Sequence, residues 1–171
     1  MASDLDPPSD VLLELGRLVW AAINLEGDVY AVCRSIRPRD PEKRRKGRPG
    51  REAFDDLPIG TVISHAFEDL GTWPPSDLRS RAEAWLANAR DALEERNAVV
   101  HSTPVTYAAI PGEVPVDPPP GPELMNFPRS GERPMVRTSL TVDGLGEIRR
   151  RTEAPQAESL TLGGELWRAR P

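Results

Sequence analysis

Three stretches of the chain place apolar residues at helical spacing, and each is bounded by residues that start or stop helices. In the first, Leu12, Leu15, Val19, Ala22, Ile23, Val29 and Cys33 form the pattern of a helix with one buried face. Ser9 precedes it as an N-cap with Asp10 in the first turn, and Pro38 blocks continuation, so the pattern predicts a helix from Ser9 to about Ile36. A shorter helix is predicted from Pro58 to Leu70, with Ile59, Val62, Ile63, Ala66, Phe67 and Leu70 as its apolar face. Gly71 and Trp73-Pro74-Pro75 end it. A third opens at Ser76, an N-cap followed by Asp77, and runs to about Ser102 before Pro104, with Leu78, Ala82, Trp85, Ala89, Leu93 and Val100 inward.

Beyond Pro104 the character changes. Nine prolines between 104 and 134 exclude a continuous helix there. Val105–Ile110 and Met135–Leu140 have the pattern of two short strands flanking a Pro-rich excursion, Gly112–Arg133, and can pair as a β-hairpin. Thr141 to about Ser159 reads as a fourth helix with Leu145 and Ile148 inward, interrupted by Gly144, Gly146 and Pro155. The expected fold class is mainly α. It is an antiparallel helical bundle in a single domain over 1–171: a helical core at 9–102, a Pro-rich loop and hairpin at 103–140, and a C-terminal helix and tail at 141–171.

Composition narrows the picture. The chain has 171 residues, a length that fits one domain, and 19 prolines, which assign much of it to loops. No apolar run approaches the roughly 20 residues of a membrane span. The first residues, Met-Ala-Ser-Asp-Leu-Asp-Pro-Pro, are acidic and lack the apolar core of a secretory signal. With no membrane partner and a single cysteine, which excludes an internal disulfide framework, a cytoplasmic location is expected. Only two histidines are present, so a His-rich metal site is excluded, and no Gly-rich phosphate loop or nucleophile elbow calls for a cofactor. Arginine outnumbers lysine twenty to two, a bias that with the many Ala, Gly and Pro fits a GC-rich bacterial genome.

The net charge of -5 argues against charge-driven coating of nucleic acid. Charge is unevenly placed, however: from Arg34 to Arg51 there are nine basic residues against Asp40 and Glu42. This basic loop, around Lys43-Arg44-Arg45-Lys46-Gly47-Arg48, can steer RNA or simply be solvated; Arg149-Arg150-Arg151 is a weaker version. His65, between Ile63 and Phe67, is expected as an interior or edge histidine, Cys33 as a small core residue, and Trp20, Trp73 and Trp85 as packing.

Two charged residues stand where a helix wants apolar ones. The row Trp85, Ala89, Leu93 continues by helical spacing to Arg96, and the row Val19, Ala22, Ile23 continues to Glu26. Removing an ion from water costs several kcal/mol, on the order of the penalty for an unpaired buried charge, so the two are expected to face each other across a helix pair. His101 adds chemistry. Asn97 and His101, four apart, share one face of the third helix, so the Asn amide can hold one imidazole nitrogen and leave the other free. Arg96 lies about 140° around the helix from His101, within reach of its long side chain. A cation, an oriented imidazole and a polar amide at a helix end suit phosphodiester chemistry, in which Arg offsets charge on a pentacovalent phosphate and His moves protons. A histidine there is also a good C-terminal cap, interacting with the helix dipole.

The stretch Ala89-Arg90-Asp91-Ala92-Leu93-Glu94-Glu95-Arg96-Asn97-Ala98-Val99-Val100-His101-Ser102 resembles the third helix of HEPN domains, which carry an arginine, a polar residue directly after it and a histidine four to six positions on. The first helix, from Leu15-Gly16-Arg17 through Asn24-Leu25-Glu26, also resembles the opening helix of bacterial HEPN-like proteins. The resemblance covers roughly residues 9–102. It implies a HEPN-like bundle that homodimerises and brings two Arg-x4-His motifs into one cleft, where active members cut RNA without metal, as toxins or defence effectors. Carried over, Arg96 would stabilise phosphate, His101 would be the acid/base and Asn97 would orient it. Glu26 would hold Arg96, a role that comes from the row and not from a family motif. In toxins paired with minimal nucleotidyltransferases a tyrosine stands two residues after the histidine; here Thr103 stands there, which removes that acceptor for an antitoxin protein. Other members are silent dimerisation modules that bind a partner protein, nucleotide or RNA.

Overall fold

The computed structural model describes residues 8–38, 54, 56–101, 103–105, 123–126, 136–139 and 141–170. Among them, helix α1 runs over Ser9–Ile36, α2 over Ile59–Leu70 and α3 over Asp77–Val100. Strands β1 (Thr103–Val105), β2 (Glu123–Asn126) and β3 (Val136–Ser139) follow, then α4 (Val142–Glu153) and α5 (Gln156–Ala169). The mainly helical class matches the expectation. No helix among the described residues is long and apolar enough to cross a membrane.

Local chemistry accounts for most boundaries. Ser76 accepts a hydrogen bond from the Arg79 amide, as an N-cap should, and Thr141 caps α4 by accepting from the Gly144 amide. α1 instead begins behind Pro8, without a side-chain cap bond, so Ser9 is its first residue and not its cap. Gly71 closes α2.

Two corrections concern the chain after residue 100. β2 lies inside the segment assigned to an excursion and is the middle strand of an antiparallel sheet of order β1-β2-β3. Of the strand expected over Val105–Ile110, only Val105 is described; 106–110 lie outside the described residues. The expected single helix over 141–159 is two helices, and the presumed tail is α5, whose Leu162 and Leu166 enter the main core. Pro155, with no N–H and a ring that crowds the preceding turn, separates them. The joint is tied from both sides: Trp85 Nε1 on α3 donates to the Pro155 carbonyl at 2.8 Å, and Gln156 Nε2 donates to the Ala21 carbonyl of α1 at 2.9 Å.

The main cluster joins α1, α2, α3 and α5 through Leu25, Val29, Ile63, Leu70, Leu86 and Leu166, with Cys33, Trp73 and Trp85 also buried. A smaller cluster, Val11, Leu18, Val99, Leu145 and Ile148, packs the N-terminal half of α1 against the end of α3 and against α4. The buried row of α1 differs from the expected one. It holds Val11, Glu14, Leu18, Ala21, Ala22, Leu25, Val29, Val32, Cys33 and Ile36, while Leu12 and Ile23 are exposed and Trp20, expected to pack, is 67% exposed. α1 carries two apolar rows, and α4 and α5 cover only one.

Candidate functional site

α3 carries the candidate residues in its last two turns. Its inward positions run Ala82, Trp85, Leu86, Ala89, Ala92 and Leu93, and Arg96 follows on the same row. The Arg96 side chain is 14% exposed and reaches Glu26 of α1, whose side chain is 35% exposed: Arg96 Nη2 donates to Glu26 Oε1. The pair that helical spacing predicts across two helices is therefore present. At this partial exposure it is worth about 1 kcal/mol, more than an open surface pair and less than a buried one. Arg96 Nε is buried and has no hydrogen-bond partner among the described residues. A buried guanidinium donor without an acceptor costs free energy, so an incoming oxygen anion that reaches it gains more than it would from a solvated arginine.

His101 is the C-cap of α3, with φ -98° and ψ 7°, and its backbone N–H donates to the Asn97 carbonyl at 3.0 Å. Its side chain is exposed and Asn97 is half-buried. Among the described residues no side-chain hydrogen bond joins the Asn97 amide to the His101 imidazole; the geometry shared by the two is the backbone bond of the last turn. Arg96 and His101 are separated by about 7 Å along the helix axis, from the 1.5 Å rise per residue. Arg96 thus stands at the core edge, His101 at the open end, and Asn97 between them.

The other sequence-level candidates fall elsewhere. The basic loop at 43–48 lies outside the described residues. Arg149 and Arg151 are not free cations: Arg151 bridges Glu147 of its own helix and Glu95 of α3, and Arg149 bonds Glu153 and Glu14. Glu14 was not among the candidates, yet it is the most buried carboxylate of α1, at 5% exposure. Arg149 Nε donates to it at 2.6 Å and Arg17 Nη1 at 3.1 Å. The Arg149 hydrogen bond, opposed by burial and assisted by Arg17, holds the Glu14 carboxyl below its ordinary value. The available signal was a charge between Val11 and Leu18 on the second apolar row. Glu14, Arg149 and Glu153 clamp α4 onto α1 beneath the smaller core cluster, so this carboxylate positions the floor on which Val99 and the end of α3 rest.

A cleft of about 700 Å³ lies along the other side of α3, between Trp85, Asn88 and Asp91 and the α4–α5 joint at Ala154 and Pro155. Its lining does not include Arg96, Asn97 or His101. No protein-family model, curated protein or solved structure matches this chain.

Proposed function

We propose that the protein is a metal-independent endoribonuclease of HEPN type that works as a homodimer, with Arg96 and His101 of each copy at a shared cleft. The observation that supports this most directly is Arg96: a guanidinium held at the core edge by Glu26, with a buried Nε that has no hydrogen-bond partner among the described residues, about one and a half turns from an exposed histidine at the end of the same helix. In this reading the RNA 2'-hydroxyl attacks the adjacent phosphorus and loses its proton to an imidazole. The P–O5' bond breaks, the leaving 5'-oxygen takes a proton, and the products are a 2',3'-cyclic phosphate and a free 5'-hydroxyl. His101 moves the protons, Arg96 offsets the charge that builds on the phosphate oxygens and Glu26 fixes the guanidinium; Asn97, not bonded to the imidazole in the free chain, would orient it once RNA is bound. A role as a toxin or defence effector, with an antitoxin protein as partner, belongs to the same proposal.

A second function, a non-catalytic HEPN-like module that binds a partner protein, nucleotide or RNA, draws on two features: Glu26 already neutralises Arg96, and the Asn97 amide does not hold the imidazole. One experiment separates the two. Purified protein is incubated with total RNA in EDTA, beside Arg96→Ala and His101→Ala variants whose circular dichroism matches the wild type. The nuclease reading expects cleavage to persist in chelator and to fall at least about 100-fold in each variant. Absence of cleavage by concentrated wild type, or equal cleavage by the His101→Ala variant, rejects it. Growth arrest on expression that His101→Ala relieves is the expected result in cells.

A further inference from the structure

The outer face of α1 carries a row that none of the described residues covers. Leu13, Gly16, Trp20, Ile23 and Gly27 follow one another at alternating spacings of three and four, the seam of a helix that pairs with another helix. Leu13 is 57% exposed, Trp20 67% and Ile23 53%, and a side chain added at Gly16 or Gly27 would meet nothing within 4 Å. Each feature is unfavourable in an isolated chain. Exposed glycines inside a helix cost about 1 kcal/mol each relative to alanine, and a contiguous apolar stripe exposed to water invites association. Both are explained if another helix approaches closely at the glycines and covers the large residues.

We propose that the partner is a second copy of this chain, with α1 packed antiparallel against α1 and Trp20 of each copy seated on Gly16 of the other. The pattern is self-complementary. A twofold axis opposite Leu18 sets the largest residue of the row against the smallest, Trp20 on Gly16, and Leu13 on Ile23. Beside that contact a cleft of about 540 Å³ opens between Leu13, Gly16 and Trp20 of α1 and Arg149 and Glu153 of α4, room enough for an indole. The area is also appropriate. Leu12, Leu13, Trp20 and Ile23 expose roughly 500 Å² per copy, so pairing removes on the order of 1,000 Å², the lower edge of a specific protein interface. The row itself holds no charge, and the nearest charges beside it, Arg17 and Asp28, are of opposite sign, unlike the polybasic border of a membrane-binding helix.

The pairing rests on the homodimer of the ribonuclease reading but not on RNA cleavage. A twofold perpendicular to the two helices keeps equivalent flanks on one side, so both Glu26–Arg96 pairs open on the same face of the dimer, about 24 Å apart along the helix axes, at the two ends of the shared cleft. Each then lies beside the N-terminal turn of the partner's α1.

The test is the mass in solution, by light scattering and sedimentation across a concentration series. Wild type is expected at twice the 18.9 kDa of one chain. Gly16→Glu, which places a carboxylate in open space in the monomer, should leave the helix content intact and give monomers. Trp20→Ala should weaken the dimer by at least about a hundred-fold, from the loss of one buried aromatic side chain per copy, two in the dimer. Leu13→Cys chains mixed with Ile23→Cys chains should form a disulfide between copies on mild oxidation. Wild type that is monomeric throughout overturns the proposal, and so does a dimer that Gly16→Glu and Trp20→Ala leave unchanged. A His101→Ala protein that remains dimeric but no longer cuts RNA supports both readings; a dimer that never cuts RNA removes only the nuclease.

Discussion

Among individual residues, buried charge says most about this chain. Arg96 and Glu26 are legible in the sequence because each breaks an apolar row, and two breaks of opposite sign on helices expected to pack have one economical solution, the ion pair that is present. Glu14 breaks a row as well, but its partner Arg149 is 135 residues away on a helix whose placement local sequence does not give. It carries a pH-dependent part of the stability. Because hydrogen bonding by Arg149 lowers its folded-state pKa, the stabilisation is complete above the unfolded-chain value of about 4.3 and is lost as pH falls through the lower folded value. Glu14→Gln should therefore cost about 1–3 kcal/mol at neutral pH, from a weakened buried hydrogen bond. The difference from wild type should shrink on acidification, measured by urea unfolding from neutral pH downward. A constant difference over that range would remove the role assigned to the carboxylate.

Among elements, helix existence and ends follow from local rules, whereas the phase of burial does not. Ser76, Gly71 and Pro38 mark boundaries that the structure reproduces within a residue or two. The expected α1 row differs from the buried one at Leu12 and Ile23 because these are as apolar as Val11, Leu18 and Ala21; only the packing of α4 and α5 decides between the two rows. α5 went unrecognised because Gly163 and Gly164 lower helix propensity, which the burial of Leu162 and Leu166 overrides. The α4–α5 corner depends on a contact with no local signature, the Trp85 indole on the Pro155 carbonyl. Trp85→Phe keeps most of the ring and deletes that bond. The Pro155 oxygen keeps the Glu158 amide at 3.3 Å, so no acceptor is stranded and the cost should be about 1–2 kcal/mol. Amide exchange in α5 should rise more than in α2, which does not touch the joint; an equal rise in both would show that the bond does not fix the corner.

At the scale of the whole molecule, the two clusters of apolar residues differ in size and share α1 and α3. The larger one encloses Cys33, at 0% exposure, and burial pushes its thiol well above the ordinary value, so at neutral pH it is neither ionised nor accessible. The smaller one supports Val99 and therefore the end of α3 that carries the candidate residues. A cluster of five side chains resists opening less than one of twenty, so the candidate site sits on the less stable part of the bundle. That division is measurable with one reagent and one exchange experiment. Labelling of Cys33 by an aromatic disulfide should be negligible in native buffer. As urea is added it should rise with the full denaturant dependence of global unfolding, since only complete opening of the large cluster frees the thiol. Amides of α4 and the last turn of α3 should exchange faster than those around Cys33, with a weaker denaturant dependence, because the small cluster can open alone. If Cys33 labels as readily as those amides exchange, the bundle opens as one unit, and the end of α3 has no independent freedom to close around a substrate.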